Sequence, residues 1–427
     1  MKIQSTLFIS FFIVLTLLLL VQTVDSNNSI IDNVNAQEEP LKNITLLALS
    51  SESAQDEIIS FIVDPHEGQA KGALTTTPVI GELPKEYNQY YVPGTEELDE
   101  DEIRLTFLGT GMPFPTRAQG SAALLAEFGN GETMFFDIGS GSIANFNSLG
   151  IPLNNATKVF ASHLHTDHVG DLSMLWAEGM PFGRTTPLEV YGPSGDYQSL
   201  GTEAYVNNLL ATQTWDYESR KGNVPTSGAK TIDVFEFDYN KTHVIYDKNG
   251  IQITSFPALH TIAGAVSFLI NYNNMSFVYS GDTEPNKFMV ENGQNVDVLI
   301  HETFLPSAVF AEKNNMPLSR AQTIVEEIHT PPKSAGMIFN LTEPKLGVMF
   351  HTQIDKDIPI PIFEELRTTY TGPALLAQDL TVINIIDDSI VVRQAQVENS
   401  AWPPESDANA PLDLPPHGLP EYLTNEK

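Results

Sequence analysis

The stretch SHLHTDHVG, residues 162–170, decides the reading of this chain, because it places three histidines and one aspartate within positions 163–168. His163 and His165 stand two apart at the end of the apolar run TKVFAS (157–162), so in an extended strand both side chains leave from the same face. Asp167 and His168 follow on the way into DLSMLWAEG (171–179), which has helical spacing. Imidazoles and a carboxylate meeting at one strand end suit zinc or a similar divalent ion. A polar surface turn is the competing explanation. With ten histidines in 427 residues, the clustering weighs against it.

Working outward, the same arrangement recurs. His260 ends the run ITSFPALH, Asp282 follows SFVY in VYSGDT, and His351 follows GVMF. Gly281, just before Asp282, permits close backbone approach. Each is a metal-ligand type directly after an apolar strand, where α/β sheets collect ligands. With His163, His165, Asp167 and His168 they make seven candidates, enough for two ions sharing one carboxylate. The glycines of FLGTG (107–111) are not a dinucleotide fingerprint, since Phe114 stands where the third glycine belongs.

The surrounding pattern predicts an α+β fold, an αββα sandwich of two mixed β-sheets packed face to face with helices on the outer faces. IRLTFLG (103–109), SAALLAEF (121–128) and ETMFFDIG (132–139) are short strand-like runs, and PLEVYGP (187–193) is another. Asn249-Gly250 and Asn273-Asn274 are hairpin turns, and LTVINIIDDSIVVRQ (380–394) is a last hairpin. DVLIHET (297–303) and KLGVMFHT (345–352) read as buried strands, and Thr330 before Pro331 as a helix start. The expected divisions are a signal peptide or membrane anchor (1–36), an acidic extension (37–102), a catalytic domain (103–397) and a proline-rich tail (398–427).

Composition bounds the function. Hydrophobic residues make up 41%, enough for a large core. The net charge of −32, from 54 acidic and 22 basic residues, repels phosphate backbones and weighs against nucleic acid as a partner. Residues 38–102 alone carry 15 acidic side chains against three basic ones, the composition of a solvated face. The start, MKIQSTLFISFFIVLTLLLLVQTVDS, has the flank and apolar run of a signal peptide, with Val34-Asn35-Ala36 as a cleavage site. Read as an anchor, Ile3–Val24 is long enough to span a bilayer. Both readings predict a secreted or otherwise extracytoplasmic protein. There is no cysteine, which removes thiolate ligands, disulfides and a cysteine nucleophile, so a metal must be held by His, Asp and Glu. The six N-x-S/T sequons are compatible with export and carry little weight in an Asn-rich chain.

HLHTDH resembles the HxHxDH signature of the metallo-β-lactamase fold, with the later His, Asp and His in that superfamily's order. FLGTG, YGPSG, SGDT, HETF (301–304) and HTPPKSAG (329–336) resemble its ribonuclease Z, arylsulfatase and phosphodiesterase branch. The resemblance runs over about 250 residues, from FLGTGMPFPTR to FHTQ. It implies a dinuclear centre of two divalent ions, zinc first, with manganese and iron(II) as alternatives. His163, His165 and His260 would hold one ion and Asp167, His168 and His351 the other, with Asp282 bridging. It further implies hydrolysis by a metal-bridged hydroxide, with Asp167 orienting the water and His301 protonating the departing oxygen. Asp137 in FDIGSG would support the histidine loop, and His329 would stand close behind the site. HTPPKSAG and the C-terminal VRQ…AWP are also similar to metallo-hydrolases labelled with guanitoxin biosynthesis, a label that fixes no substrate.

Ribonuclease Z carries a long basic arm between the counterparts of His260 and Asp282. Here a hairpin fills that interval, and the long insertion, roughly 197–247, is not basic. The expectation is therefore a hydrolase of a small-molecule phosphodiester, sulfate ester, lactone or related ester, anchored or secreted, and capable of forming a homodimer. An RNA-processing endonuclease and a non-catalytic binding protein on the same fold are the alternatives. Trp176 and Met174 read as core, Met180, Phe182 and Trp215 are candidates for the cleft mouth, and His66, His243 and His417 receive no role.

Overall fold

The computed structural model describes residues 79–220, 228–387 and 389–404, with the backbone of three short strands before them, Leu46–Ala48, Ile62–Val63 and Ala70–Lys71. The leader, His66, His417 and most of the proline-rich tail lie outside the described residues.

Two large sheets pack face to face. The ten-stranded sheet runs from its edge strand Ile232–Phe237 through Leu188–Pro193, Lys158–Phe160, Thr133–Phe136, Ala123–Phe128, Ile103–Gly109 and Thr381–Ile386 to Ser389–Ala395. Short strands Val79–Ile80 and Tyr90–Tyr91 join that last strand, so the end of the acidic segment is built into the sheet edge. Buried Glu102 fastens it, accepting from Lys85 Nζ at 2.6 Å, Tyr87 Oη at 2.8 Å and Asn384 Nδ2 at 2.7 Å. The eight-stranded sheet carries, in order, Leu46–Ala48, Ala374–Leu376, Leu346–Phe350, Val298–Glu302, Met275–Tyr279, Val266–Tyr272, Ile251–Pro257 and His243–Lys248.

Strands such as Ile103–Gly109, Val298–Glu302 and Leu346–Phe350 are buried at every position, as strands covered on both faces must be. Phe107, Phe136 and Phe160 from one sheet meet Phe268, Tyr279 and Phe350 from the other between the layers. Edge-to-face contacts such as Phe136 on Phe277, 5.6 Å between centroids, set the spacing. A second apolar layer lies under Ser142–Ser148 and Leu172–Gly179 on one outer face, and a third under Pro332–Thr342 and Pro359–Leu366 on the other. The architecture is the αββα sandwich of the metallo-β-lactamase fold.

Both Asn-led turns form as expected, with left-handed φ at Asn249 and Gly250 (54° and 78°) and at Asn273 and Asn274 (45° and 66°). The helix start shifts by one residue. Pro331 takes the cap position, and the Thr330 hydroxyl donates to the Thr283 carbonyl at 2.6 Å. Trp176 is core, but Met174 is 46% exposed because it lies on the opposite face of its helix. Met180 and Phe182 pack into the layer under the helices and do not reach a cleft mouth.

Candidate metal centre

The strand Lys158–Phe160 ends at the histidine motif, and the short helix Thr166–Val169 follows with His165 at its cap. Thr133–Phe136 lies parallel beside it, so Asp137 emerges at the same edge. In the other sheet Met275–Tyr279, Val298–Glu302 and Leu346–Phe350 are mutually parallel. Their C-terminal ends deliver Asp282, Glu302 and His351 together. Gly281 (φ 56°) lets this turn press on the histidine loop, because a Cβ there would sit 2.4 Å from Ser162 Cβ.

Seven of the residues singled out in the sequence fall into two overlapping sets. His163, His165, His260 and Asp282 form one, and Asp167, His168, His351 and Asp282 the other; in each set the ligand atoms lie within 4.8 Å of one another. Asp282 divides its oxygens between them. Oδ2 faces His260 Nε2 at 3.7 Å and His163 Nε2 at 4.0 Å, while Oδ1 faces His168 Nε2 at 3.2 Å and His351 Nε2 at 3.3 Å. A third set, His260, Asp282, Glu302 and His329, overlaps the first.

Hydrogen bonds on the far ring nitrogens test whether a cation fits. His260 Nδ1 donates to the Ile328 carbonyl at 3.1 Å, leaving Nε2 as a lone pair. Ser162 Oγ donates to Asp137 Oδ2 at 2.7 Å and so accepts from His163 Nδ1 at 3.1 Å, leaving His163 Nε2 as a lone pair as well. Both nitrogens then crowd His165 Nδ1, at 3.2 and 3.0 Å. On the other side His168 Nδ1 donates to Asp137 Oδ2 at 2.7 Å, aiming the lone pair of Nε2 at the carboxylates of Asp282 and Asp167. His168 Nε2 and Asp282 Oδ1 are buried without a hydrogen-bond partner. Converging lone pairs and carboxylate oxygens are what a divalent cation satisfies, so the residues fit.

Without a cation, burial lowers His168, but Asp282 and Asp137 outweigh it and hold the ring well above the ordinary imidazole value. A bound cation would take the place of that proton. Burial alone would raise Asp282, yet His168 and His351 hold its carboxyl well below the usual range. Burial and the neighbouring His168 push His163 well below the ordinary imidazole value, which keeps it a neutral ligand. Asp137 belongs to neither ligand set. Its backbone is left-handed (φ 58°), and it also accepts from Ser162 N at 2.7 Å and Tyr279 Oη at 3.0 Å, fixing the loop.

His301 is placed differently from the expectation. Ile300 belongs to the layer between the sheets and Leu299 to the outer layer, so strand alternation puts His301 on the outer face and Glu302 on the inner one. His301 Nδ1 donates to the Glu302 carbonyl at 2.7 Å, and its ring lies edge-on to Phe339. It does not meet the ligand cluster. His329 does, with Nδ1 donating to Glu302 Oε2 at 3.0 Å, 3.9 Å from Asp282 Oδ2, and its ring stacked on Phe304. Burial draws His329 down, but Glu302 outweighs it and pushes the ring up to about 9.

Two further supports escaped the sequence reading. Glu302 accepts from Thr283 N at 2.6 Å as well as from His329. Asp379, fully buried, accepts from Thr110 N (2.9 Å), Thr110 Oγ1 (2.8 Å), Gly120 N (2.7 Å) and Asn145 Nδ2 (3.0 Å). The loop it gathers holds the residues after His351: Thr352 N donates to Thr110 O at 3.0 Å, and Gln119 Nε2 donates to Thr352 O at 3.1 Å. His351 itself sits at φ 61°, a left-handed conformation that needs such bracing. An aspartate after an apolar strand was the available signal for Asp379.

Comparisons with known proteins agree with this fold. The chain is 25% identical to ribonuclease Z of Archaeoglobus fulgidus over 317 residues, spanning 67% of this chain and 99% of that protein. It is 24% identical to ribonuclease Z of Mycolicibacterium gilvum over 233 residues, 52% of this chain and 75% of that protein. Among solved structures it is similar to the metallo-β-lactamase fold protein YhfI from Bacillus subtilis, with a TM-score of 0.50, 17% identity and coverage of 67% of this chain and all of that one. A family model described as Anti-Pycsar protein Apyc1 matches residues 103–329, which is 227 of 427. Matched over more than half its length, and built on the metallo-β-lactamase fold with this cluster of metal-ligand residues, the chain belongs to the Anti-Pycsar protein Apyc1 family of the metallo-hydrolase superfamily.

Proposed function

We propose that the protein is an extracytoplasmic hydrolase that uses two divalent ions, zinc first, to cleave a phosphodiester bond in a small molecule. The observation that carries this is the division of Asp282, with one oxygen toward each set of histidines. Ions held there would supply Lewis acidity, neutralise charge developing on the ester oxygens and lower the pKa of water toward about 7.

The chain's own residues do the rest. Asp167, whose Oδ2 lies 3.3 Å from His351 Nε2, presents a carboxylate beside the shared Asp282 and can orient an attacking water. His329, kept protonated by Glu302, takes the role first given to His301: it holds a proton that it can pass to the departing oxygen. The His329 nitrogen nearest Asp282, Nδ1 at 3.9 Å, already donates to Glu302, so that atom is not open to a metal.

A phosphodiester is preferred because the relatives named above are ribonucleases, and the bond they break is one. The size of the substrate is argued from this chain. Its charge of −32 repels a polyanion, and the interval from His260 to Asp282 is filled by the hairpin of Val266–Tyr272 and Met275–Tyr279. Export is supported by the apolar leader. No helix among the described residues is long and apolar enough to cross a membrane.

Turnover of bis(4-nitrophenyl) phosphate, 4-nitrophenyl sulfate, a phosphotriester, a lactone and a pre-tRNA by the zinc-loaded protein tests this. The diester should dominate. Preferred hydrolysis of the sulfate, triester or lactone would overturn the substrate class, and efficient pre-tRNA cleavage would favour the ribonuclease alternative.

A further inference from the structure

A cavity of about 300 Å³ opens on His163, His165 and His260. One wall is the segment after the strand Leu188–Pro193, including Leu200, Tyr205 and Asn208; the other is the loop after His260, with Ile262, Ala263 and Ala265. Gly264 joins them. At φ 123° it brings its loop so close that a Cβ there would stand 3.3 Å from the Ser194 carbonyl oxygen. Thr261, next to ligand His260, is held at φ 29°. Such strain persists where the surroundings over-determine a functional loop.

The chemistry of the lining is one-sided. None of the described lining residues is Lys, Arg, Asp or Glu. Away from the three histidines a charged group would meet no ionic partner in the wall, whereas an apolar ring would gain contacts with Leu200, Ile262 and the two alanines. The volume lies at the small end of ligand pockets, about 300–1,000 Å³, and suits one substituted ring better than a chain. Neither His329 nor Glu302 lines it, although both adjoin the same cluster.

We propose that this cavity seats the non-leaving arm of the diester, and that this arm is uncharged and built on a single ring. The assignment rests on the phosphodiesterase reading above and on His329, which lies outside the cavity lining, serving the leaving group. Leu200, Ala263 and Asn208 are then specificity residues. Leu200 and Ala263 set the size and polarity of the arm, and Asn208 offers it a hydrogen bond.

Two readouts separate this proposal from the reading beneath it. In the first, the zinc-loaded full chain hydrolyses phenyl, methyl and 4-carboxyphenyl 4-nitrophenyl phosphates, which share one leaving group. The phenyl ester should show a KM at least tenfold below the other two at similar kcat. Ala263→Trp, which fills the cavity, and Leu200→Asp, which charges its wall, should each collapse that ratio. Equal KM values for phenyl and methyl esters, or a phenyl preference that survives Ala263→Trp in folded protein, overturns the proposal. In the second, calorimetry compares phenylphosphonate with methylphosphonate, and the phenyl compound should bind at least tenfold tighter. That preference without turnover of any diester keeps the cavity assignment and defeats the phosphodiesterase reading. Turnover with no arm preference in either readout does the reverse.

Discussion

His163, His165 and His260 border an open cavity, and His165 is exposed, whereas Asp167, His168 and His351 are all buried. In the open set His260 is held by the Ile328 carbonyl and His163 by Ser162, and their Nε2 atoms approach His165 Nδ1 to 3.2 and 3.0 Å. The buried set depends on groups far away in sequence. Asp137 orients His168, and the Asp379 loop braces the backbone that follows left-handed His351. One half of the centre is therefore accessible to a substrate, and the other is a product of the fold. Damage to the first should act through substrate, and damage to the supports of the second through metal.

The largest effect should come from the residue that abolishes the distinction. Asp282→Ala should lose at least one of two bound metals and lower turnover by more than the about 10²–10⁴-fold typical of a missing general acid, read by metal analysis alongside kinetics. Full metal content and rate in that variant would separate the two sets and break the comparison.

His329→Ala should come next, lowering turnover by about 10²–10⁴-fold while both metals stay bound. The paired control is His301→Gln, which should lower the melting temperature through its buried contact with Phe339 and leave turnover near wild type. The opposite pattern would return the proton-donor role to His301.

A smaller change should follow Asp137→Ala, with metal binding weakened about 10–100-fold, as for other groups that orient a histidine ligand. Titration should show the loss at the buried set before the open one. Equal weakening of both would mean that the halves are not independently supported.

The smallest effect is a pH dependence. Burial pushes the Asp379 carboxyl up to about 7, against the four hydrogen bonds it accepts. A carboxyl raised above the unfolded value of about 3.9 binds its proton more tightly in the folded state, so its contribution to stability falls as pH rises between about 4 and 7. Denaturant midpoints of wild type and Asp379→Asn should reveal this. The wild type should lose ground to the variant across that window, and a constant difference would contradict it.

The candidate ligand cluster was legible in the sequence because His163, His165, His260, Asp282 and His351 follow the ends of apolar strands. Asp167 and His168 stand in the short helix just after the first of these strands. The two-sheet sandwich was legible for a related reason, since runs such as VLIHE and LGVMF are apolar on both faces. The assignment of His301 failed on the same geometry. Adjacent strand residues point to opposite faces, and nothing in HETF tells which of His301 and Glu302 faces inward until Ile300 is seen between the sheets. Asp379, Gln119 and the cavity walls were hidden for a different reason: their partners lie up to 269 residues away, in contacts made only by folded loops.

The central claim is that Asp282 divides two ions between an open and a buried half-site. Anomalous diffraction at the zinc edge from crystals of the zinc-loaded full chain tests it directly. The account predicts two peaks, one beside Asp282 Oδ2 among His163, His165 and His260, and one beside Oδ1 among Asp167, His168 and His351. A single peak, or a peak held by Glu302 and His329, would contradict it.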